Sequence, residues 1–213
     1  MESLQGKHAR EIDASELSQR LVGYTHVMVD LGTGDGRYVR AVAVACPATF
    51  AIGIDASREN LRQRSRHAPP NALFLIANAL ALPRELDGLA THLTINFPWG
   101  SLLVGLLSGD PALMERLAAL ARPGARLEVW LNGGALAEAG WPLAEGGQRV
   151  RQALLAAGFS VRLPVELGSR ELRACPTTWA RRLAYGRDPR ALYLRGERTG
   201  AKGRATAGRG GGL

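Results

Sequence analysis

The stretch VMVDLGTGDGR (residues 27–37) sets Asp30 ahead of three glycines at every second position, between an apolar strand pattern and a helical one. Glycines at such a place permit a tight turn and bring backbone N–H groups close to a ligand. In dinucleotide-binding loops those amides meet a pyrophosphate. A carboxylate at the strand end repels phosphate and suits an ammonium. The next strand, FAIGID, ends on Asp55, about 20 residues beyond the loop, where a carboxylate accepts ribose hydroxyls. Asp30, Gly32, Gly34 and Asp55 together describe a site for a nucleoside that carries an amino group and no phosphate. S-adenosylmethionine has that chemistry, and methyl transfer is the reaction it implies.

Two further stretches bear on the acceptor. TINFPWGSL (94–102) closes a strand with Asn96, Phe97, Pro98 and Trp99, and Ser101 follows. Proline stiffens this loop and removes one N–H. An amide and a backbone carbonyl there suit an exocyclic amine, and an indole suits a base face. A lone Trp is equally at home in a core. The second stretch, TTWARRLAYGRDPR (177–190), surrounds Trp179 and Tyr185 with Arg181, Arg182, Arg187 and Arg190. Four arginines alone would suit a solvated helix face. Interleaved with aromatics they suit a phosphate backbone and an unstacked base. Arg62, Arg64 and Arg66 form another basic cluster. ANALALP (77–83) places Asn78, Ala79 and Leu80 after a third strand, against an adenine edge, although Asn78 also suits a plain turn cap.

Positioning these residues takes alternating strands and helices. Strands are expected at 27–32, 50–55, 72–77, 91–95, 125–132, 159–163 and 191–195. Helices are expected at 36–46, from Ser57 to about His67, at 102–107, 110–121 and 148–157. The pattern predicts an α/β fold: a seven-stranded, mostly parallel sheet with helices on both faces, the Rossmann-like class I arrangement. Residues 1–24 read as an N-terminal extension, 25–198 as the methyltransferase domain, and 199–213 as a disordered basic Gly/Arg tail.

Composition narrows the partners. Of 213 residues, 27 are Lys or Arg and 19 Asp or Glu, a net charge of +8 carried largely by arginine. Composition alone leaves an inert basic surface and a polyanion-binding one equally open. No apolar run reaches the roughly 18 residues of a membrane span, and the start MESLQGKHAREID has no apolar leader core, so a cytoplasmic protein is expected. Cys46 and Cys175 are too few for a disulfide framework or a zinc site, and no metal is expected.

The stretches VDLGTGDGR (29–37), IGID with REN (52–55, 58–60), FPWGSLL (97–103) and TWARRLAYGR (178–187) together resemble one family, and span most of the chain. These are the aminoglycoside-resistance 16S rRNA methyltransferases of the Kam and Npm type, which modify N1 of decoding-site adenine 1408. The resemblance implies S-adenosylmethionine as donor and an adenine flipped out of helix 44 in the 30S subunit, with the enzyme a monomer. It implies that Trp99 and Trp179 sandwich the base while Pro98 and the Phe97 carbonyl shape and read its edge. Asp30, Gly32, Gly34, Asp55, Asn78, Ala79, Leu80, Asn96 and Phe97 would line the cofactor with Thr177 beside it. Arg62, Arg64, Arg66, Ser101, Arg182, Arg187 and Arg190 would serve the RNA. Three departures stand out: a shorter, Arg-bearing QRSRHAPPNA (63–72), Leu80 in place of an acidic residue, and a nearly uncharged linker at 132–147.

Adenine N1 has its own lone pair, so no general base is needed, and His67 and His92 are expected on the surface or at a strand end. Two rivals stay open: an exocyclic N6-adenine methyltransferase on RNA or DNA, and a non-catalytic RNA-binding protein.

Overall fold

The structure, a computed structural model, describes residues 1–185 and 189–200. In chain order the first elements are β1 (Glu2–Gln5), β2 (His8–Glu11), α1 (Ala14–Leu21), β3 (His26–Leu31), α2 (Arg37–Ala45), β4 (Thr49–Asp55), α3 (Arg58–Ser65) and β5 (Ala72–Ile76). The middle of the chain gives β6 (Ala90–Asn96), α4 (Gly100–Ser108), α5 (Pro111–Leu120), β7 (Ala121–Asn132), α6 (Gly133–Glu138) and α7 (Leu143–Ala156). The last elements are β8 (Phe159–Val161), β9 (Val165–Leu167), α8 (Ser169–Ala174), α9 (Thr178–Ala184) and β10 (Ala191–Arg198).

One sheet holds all the strands, in the order β2-β1-β5-β4-β3-β6-β7-β10-β8, with β9 also paired to β10. The central five, β5-β4-β3-β6-β7, are parallel. Buried on both faces, they are written as near-continuous apolar runs. Val27, Val29 and Leu31 face the core under α4, α5 and α7, while Met28 faces Val39, Ala43 and Leu61 of α2 and α3. The face that carries Met28 and Asp30 is closed at its far end by α8 and α9, through Leu172, Cys175 and Ala180 against Phe97 and Trp130.

The expected doubly wound sheet is present, with ten strands among the described residues rather than seven. The extra three are β1, β2 and β9. ESLQ and HARE carry no apolar alternation. They form a hairpin because Gly6, at φ 61°, takes the first central position of a two-residue turn. β1 then adds antiparallel to β5, so the start of the expected extension, through β1 and β2, is built into the sheet edge. At the other end Thr199 donates its N–H and hydroxyl to the Gly158 carbonyl, and residues 201–213 of the expected tail lie outside the described residues. No helix among the described residues is long and apolar enough to cross a membrane.

Candidate active site

The carboxyl ends of β3, β4, β5 and β6 open onto a cavity of about 550 Å³, the position at which open parallel sheets bind ligands. Its rim turns sharply after β3. Gly32 and Gly36 both sit at φ 71°, and a Cβ on Gly36 would lie 2.4 Å from the Phe74 ring. Only glycine holds this turn.

Asp30 forms the floor. It is 1% exposed, and its Oδ1 accepts hydrogen bonds from Thr94 Oγ1 and Asn96 Nδ2, both at 2.8 Å. Burial pushes the carboxyl up to about 6, against the opposing pull of Thr33, Thr94 and Asn96. Its Oδ2 is buried with no partner, and so is Asn96 Oδ1. Two unpartnered acceptors on one cavity wall, one of them a carboxylate, call for a cationic donor. An ammonium fits; a phosphate does not.

Asp55, at the end of β4, is a braced acceptor. Its Oδ2 takes the Gly34 N–H at 2.8 Å, while Oδ1 takes the Ser57 N–H at 2.9 Å and Asn60 Nδ2 at 3.3 Å. A carboxylate offers about four lone-pair sites, so one remains in a fixed direction. That suits one hydroxyl well, and Asn60, which shares the cavity wall, is placed for the other. Asp55→Ala is expected to weaken cofactor binding by about 1–3 kcal/mol. Calorimetry returning the wild-type affinity would remove Asp55 from the site.

Asn78 caps the short turn Ala79–Ala81, its Oδ1 accepting the Leu80 N–H at 3.0 Å. Asn78 and Ala79 line the cavity, whereas Leu80 does not. Leu80 packs onto the core, and its N–H is already committed.

At the mouth stand the two indoles. Phe97 adopts φ 52°, rare for a non-glycine residue, and its N–H is fixed on the Trp130 carbonyl at 2.8 Å. That bend carries buried Pro98 onward and leaves Trp99 at the N-cap of α4. Trp179 lies in the first turn of α9, which Thr177 caps by accepting the Ala180 N–H at 2.9 Å. The two rings lie 5.6 Å apart between centroids at 14°, and each is about two-fifths exposed. The Arg182 guanidinium sits 5.3 Å over the Trp179 ring. Thr177 and Ser101 also line the cavity.

Several lining residues escaped the sequence reading, among them Thr33, Tyr38, Asn60 and Thr178. Thr178 donates to Asp35 Oδ2 at 2.8 Å and so ties α9 to the glycine turn. Asp35 and Asn60 stood within the stretches quoted above, and only their contacts were illegible.

None of Arg62, Arg64 or Arg66 reaches the cavity. Arg62 pairs with Glu59 at 3.2 Å and shares a groove with Arg66 and the Gly6 turn. Arg64 lines a separate cleft. Arg190 gives its carbonyl to the Gly133 N–H and also lies off the cavity wall. Arg187 lies outside the described residues. His92 partners buried Glu128 across the sheet, with 3.1 Å between Nε2 and Oε2, away from the cavity wall.

The chain is similar to known proteins over most of its length. A 16S rRNA (adenine(1408)-N(1))-methyltransferase from Escherichia coli is 32% identical over 202 residues, covering 86% of this chain and 92% of the relative. One from Streptoalloteichus hindustanus is 34% identical over 209 residues, covering 88% and 94%. The crystal structure of the 16S rRNA methyltransferase KamB superposes with a TM-score of 0.85 at 31% identity, covering 94% of this chain and all of that one. The family model described as NpmA, 16S rRNA (adenine(1408)-N(1))-methyltransferase, matches residues 2–198, and the chain belongs to that family.

Proposed function

We infer that this protein methylates N1 of adenine 1408 in 16S rRNA, acting as a cytoplasmic monomer on the assembled 30S subunit. The observation that carries the reading is the pair of near-parallel indoles, Trp99 and Trp179, over a cavity whose floor holds unpartnered Asp30 and Asn96 oxygens. S-adenosylmethionine, when bound, supplies an electrophilic methyl group on a sulfonium. Asp30 and Asn96 would take its ammonium, Asp55 and Asn60 its ribose, and the turn at Asn78 and Ala79 would flank its adenine. Thr177 and the Gly32–Gly34 backbone complete that wall.

On the acceptor side the chain supplies position rather than proton transfer. Adenine N1 is nucleophilic as it stands, and no titratable side chain is needed between the indoles. Trp99 and Trp179 would hold the base by its faces, and Pro98 with the Phe97 carbonyl would bound its edge. The product carries positive charge, which aromatic faces stabilise. Ser101, Arg182, Arg187 and Arg190 would serve the surrounding strand.

Labelled methyl transfer to 30S subunits followed by primer extension tests this. N1 methylation blocks Watson–Crick pairing, so a reverse-transcription stop beside A1408 that depends on cofactor is the expected result. Methyl recovered on N6 without a stop, or no methyl incorporated, overturns it.

A further inference from the structure

Buried acceptors without donors marked a cation site on the cavity floor. Two buried donors without partners fall together in a second place. Arg37 Nε and Arg64 Nε are buried nitrogens with no hydrogen-bond partner, and both residues line one cleft of about 300 Å³. Arg40 and Arg181 complete it, with Val44 and Pro176 also on its wall. Three helices contribute: α2 through Arg37 and Arg40, one turn apart on one face, α3 through Arg64, and α9 through Arg181.

No carboxylate is among the residues that line the cleft with these four arginines. Arg10, Arg20, Arg62, Arg116 and Arg126 each pair with a carboxylate elsewhere. Among the described residues Arg40, Arg64 and Arg181 have no ion pair. Arg37 Nε lies 3.9 Å from Asp35 Oδ2, which is beyond hydrogen-bond length, and that oxygen is already taken by Thr178. Four guanidiniums facing one carboxylate repel one another. A bound anion relieves that repulsion, and the planar fork of arginine matches a phosphate.

We propose that Arg37, Arg40, Arg64 and Arg181 form a clamp for an RNA backbone phosphate close to the target nucleotide. The clamp rests on the reading of 16S rRNA as substrate. Its place follows from α9. Trp179 and Arg181 are two residues apart, hence about 200° around a helix. One helix therefore presents the base-stacking ring to the cavity and the guanidinium to the cleft behind. Thr178, whose direction around the helix falls between the two, bonds to Asp35 in the glycine turn. An RNA strand that places its base against Trp179 crosses α9 and sets a neighbouring phosphate in the cleft. Arg64 thus belongs with Arg37, Arg40 and Arg181 and not with Arg62 and Arg66.

The test uses the full chain, purified 30S subunits and a salt series from 50 to 200 mM, roughly the range over which phosphate contacts show. The variants are Arg40→Ala/Arg181→Ala, its charge-reversed form Arg40→Glu/Arg181→Glu, and Arg162→Ala/Arg195→Ala. The last removes equal charge from exposed positions beside the β8–β10 edge. The first double variant is expected to bind about 10- to 100-fold more weakly, with a salt slope shallower by about one to two units. Charge reversal should weaken binding further, while the edge variant keeps the wild-type slope and cofactor affinity is unchanged in all three. Methyl transfer by the wild-type chain is followed on the same subunits. If the wild type transfers methyl yet the cleft variants keep its affinity and slope, the clamp is wrong and the substrate reading stands. If the edge variant loses as much, the effect is net charge and the clamp is also wrong. A wild-type chain that neither binds nor methylates the subunit overturns the substrate reading and the clamp with it.

Discussion

Trp99→Ala and Trp179→Ala each lower single-turnover methyl transfer by on the order of 100-fold while weakening subunit binding far less. Stacking contributes about 1–3 kcal/mol per base, and an error of 1 Å in the attack geometry costs about 10²-fold. The ring geometry shows how little slack exists. A base needs roughly 3.5 Å on each face, about 7 Å in all, and the centroids stand 5.6 Å apart. The walls must part by more than 1 Å. Trp99 is the fixed wall: it follows Phe97, whose strained backbone is bonded to Trp130, and buried Pro98. Trp179 is held instead by side-chain bonds, the Thr177 cap and the Thr178–Asp35 bond. Removing either ring frees the base, so the double variant should be nearly as inactive as the worse single one. Phenylalanine at either place keeps a π face and should recover part of the rate. Single-turnover transfer and equilibrium binding, measured side by side for each variant, decide the matter. Alanine variants that transfer at the wild-type rate would make the two indoles mere cover for the cavity.

What the sequence showed and hid follows from the range of each interaction. Parallel strands buried on both faces announce themselves as apolar runs, so β3, β4, β5, β6 and β7 were legible. The β1–β2 hairpin is held by backbone pairing and a glycine turn at an edge, and its side chains record almost nothing of it. Asp30 and the glycine turn stand in one loop at fixed spacing and Asp55 ends the next parallel strand, so their common place at the cavity was legible. The Asn96–Asp30 bond spans 66 residues and the Thr178–Asp35 bond 143. Both depend on strand order and the docking of α9, which no local pattern encodes. Arg62, Arg64 and Arg66, read from the sequence as one cluster, line two different grooves. At 100° per residue Arg62 and Arg66 share a face and Arg64 points the other way, so the helical period already separated them. Leu80 does not line the cavity, because Asn78, read as either a cofactor neighbour or a turn cap, is a cap that takes the Leu80 N–H while lining the cavity itself.

Asp30→Asn is expected to make the cofactor-free protein more stable and the cofactor-binding site nearly useless. Burial raises the Asp30 carboxyl from 3.8 to about 6. A group whose folded value is raised holds its proton more tightly in the folded chain. Its ionisation therefore costs nothing below about pH 4, costs more as pH climbs from 4 to 6, and costs a constant amount above 6. Over that interval of about two pH units the cost approaches 3 kcal/mol at neutral pH. Asparagine carries no charge to bury, and its side-chain oxygen still accepts from Thr94 and Asn96. The cofactor-free variant should melt several degrees higher at pH 7, at about 2–4 °C per kcal/mol for a chain of this size, and the gain should vanish at pH 4. Cofactor binding runs the other way. A bound ammonium pairs with the ionised carboxylate, so wild-type affinity should rise between pH 5 and 7 and level off above. Without the carboxylate the ammonium is buried unpaired, and affinity should fall by on the order of 100- to 1000-fold and lose its pH dependence over that range. Thermal melts at pH 4 and 7, with calorimetric titration of S-adenosylmethionine at pH 5, 6 and 7, read both halves. A variant that binds the cofactor as the wild type does would show that the unpartnered Asp30 oxygen has no ammonium to meet. One that melts lower at pH 7 would show that the carboxylate is compensated within the fold itself.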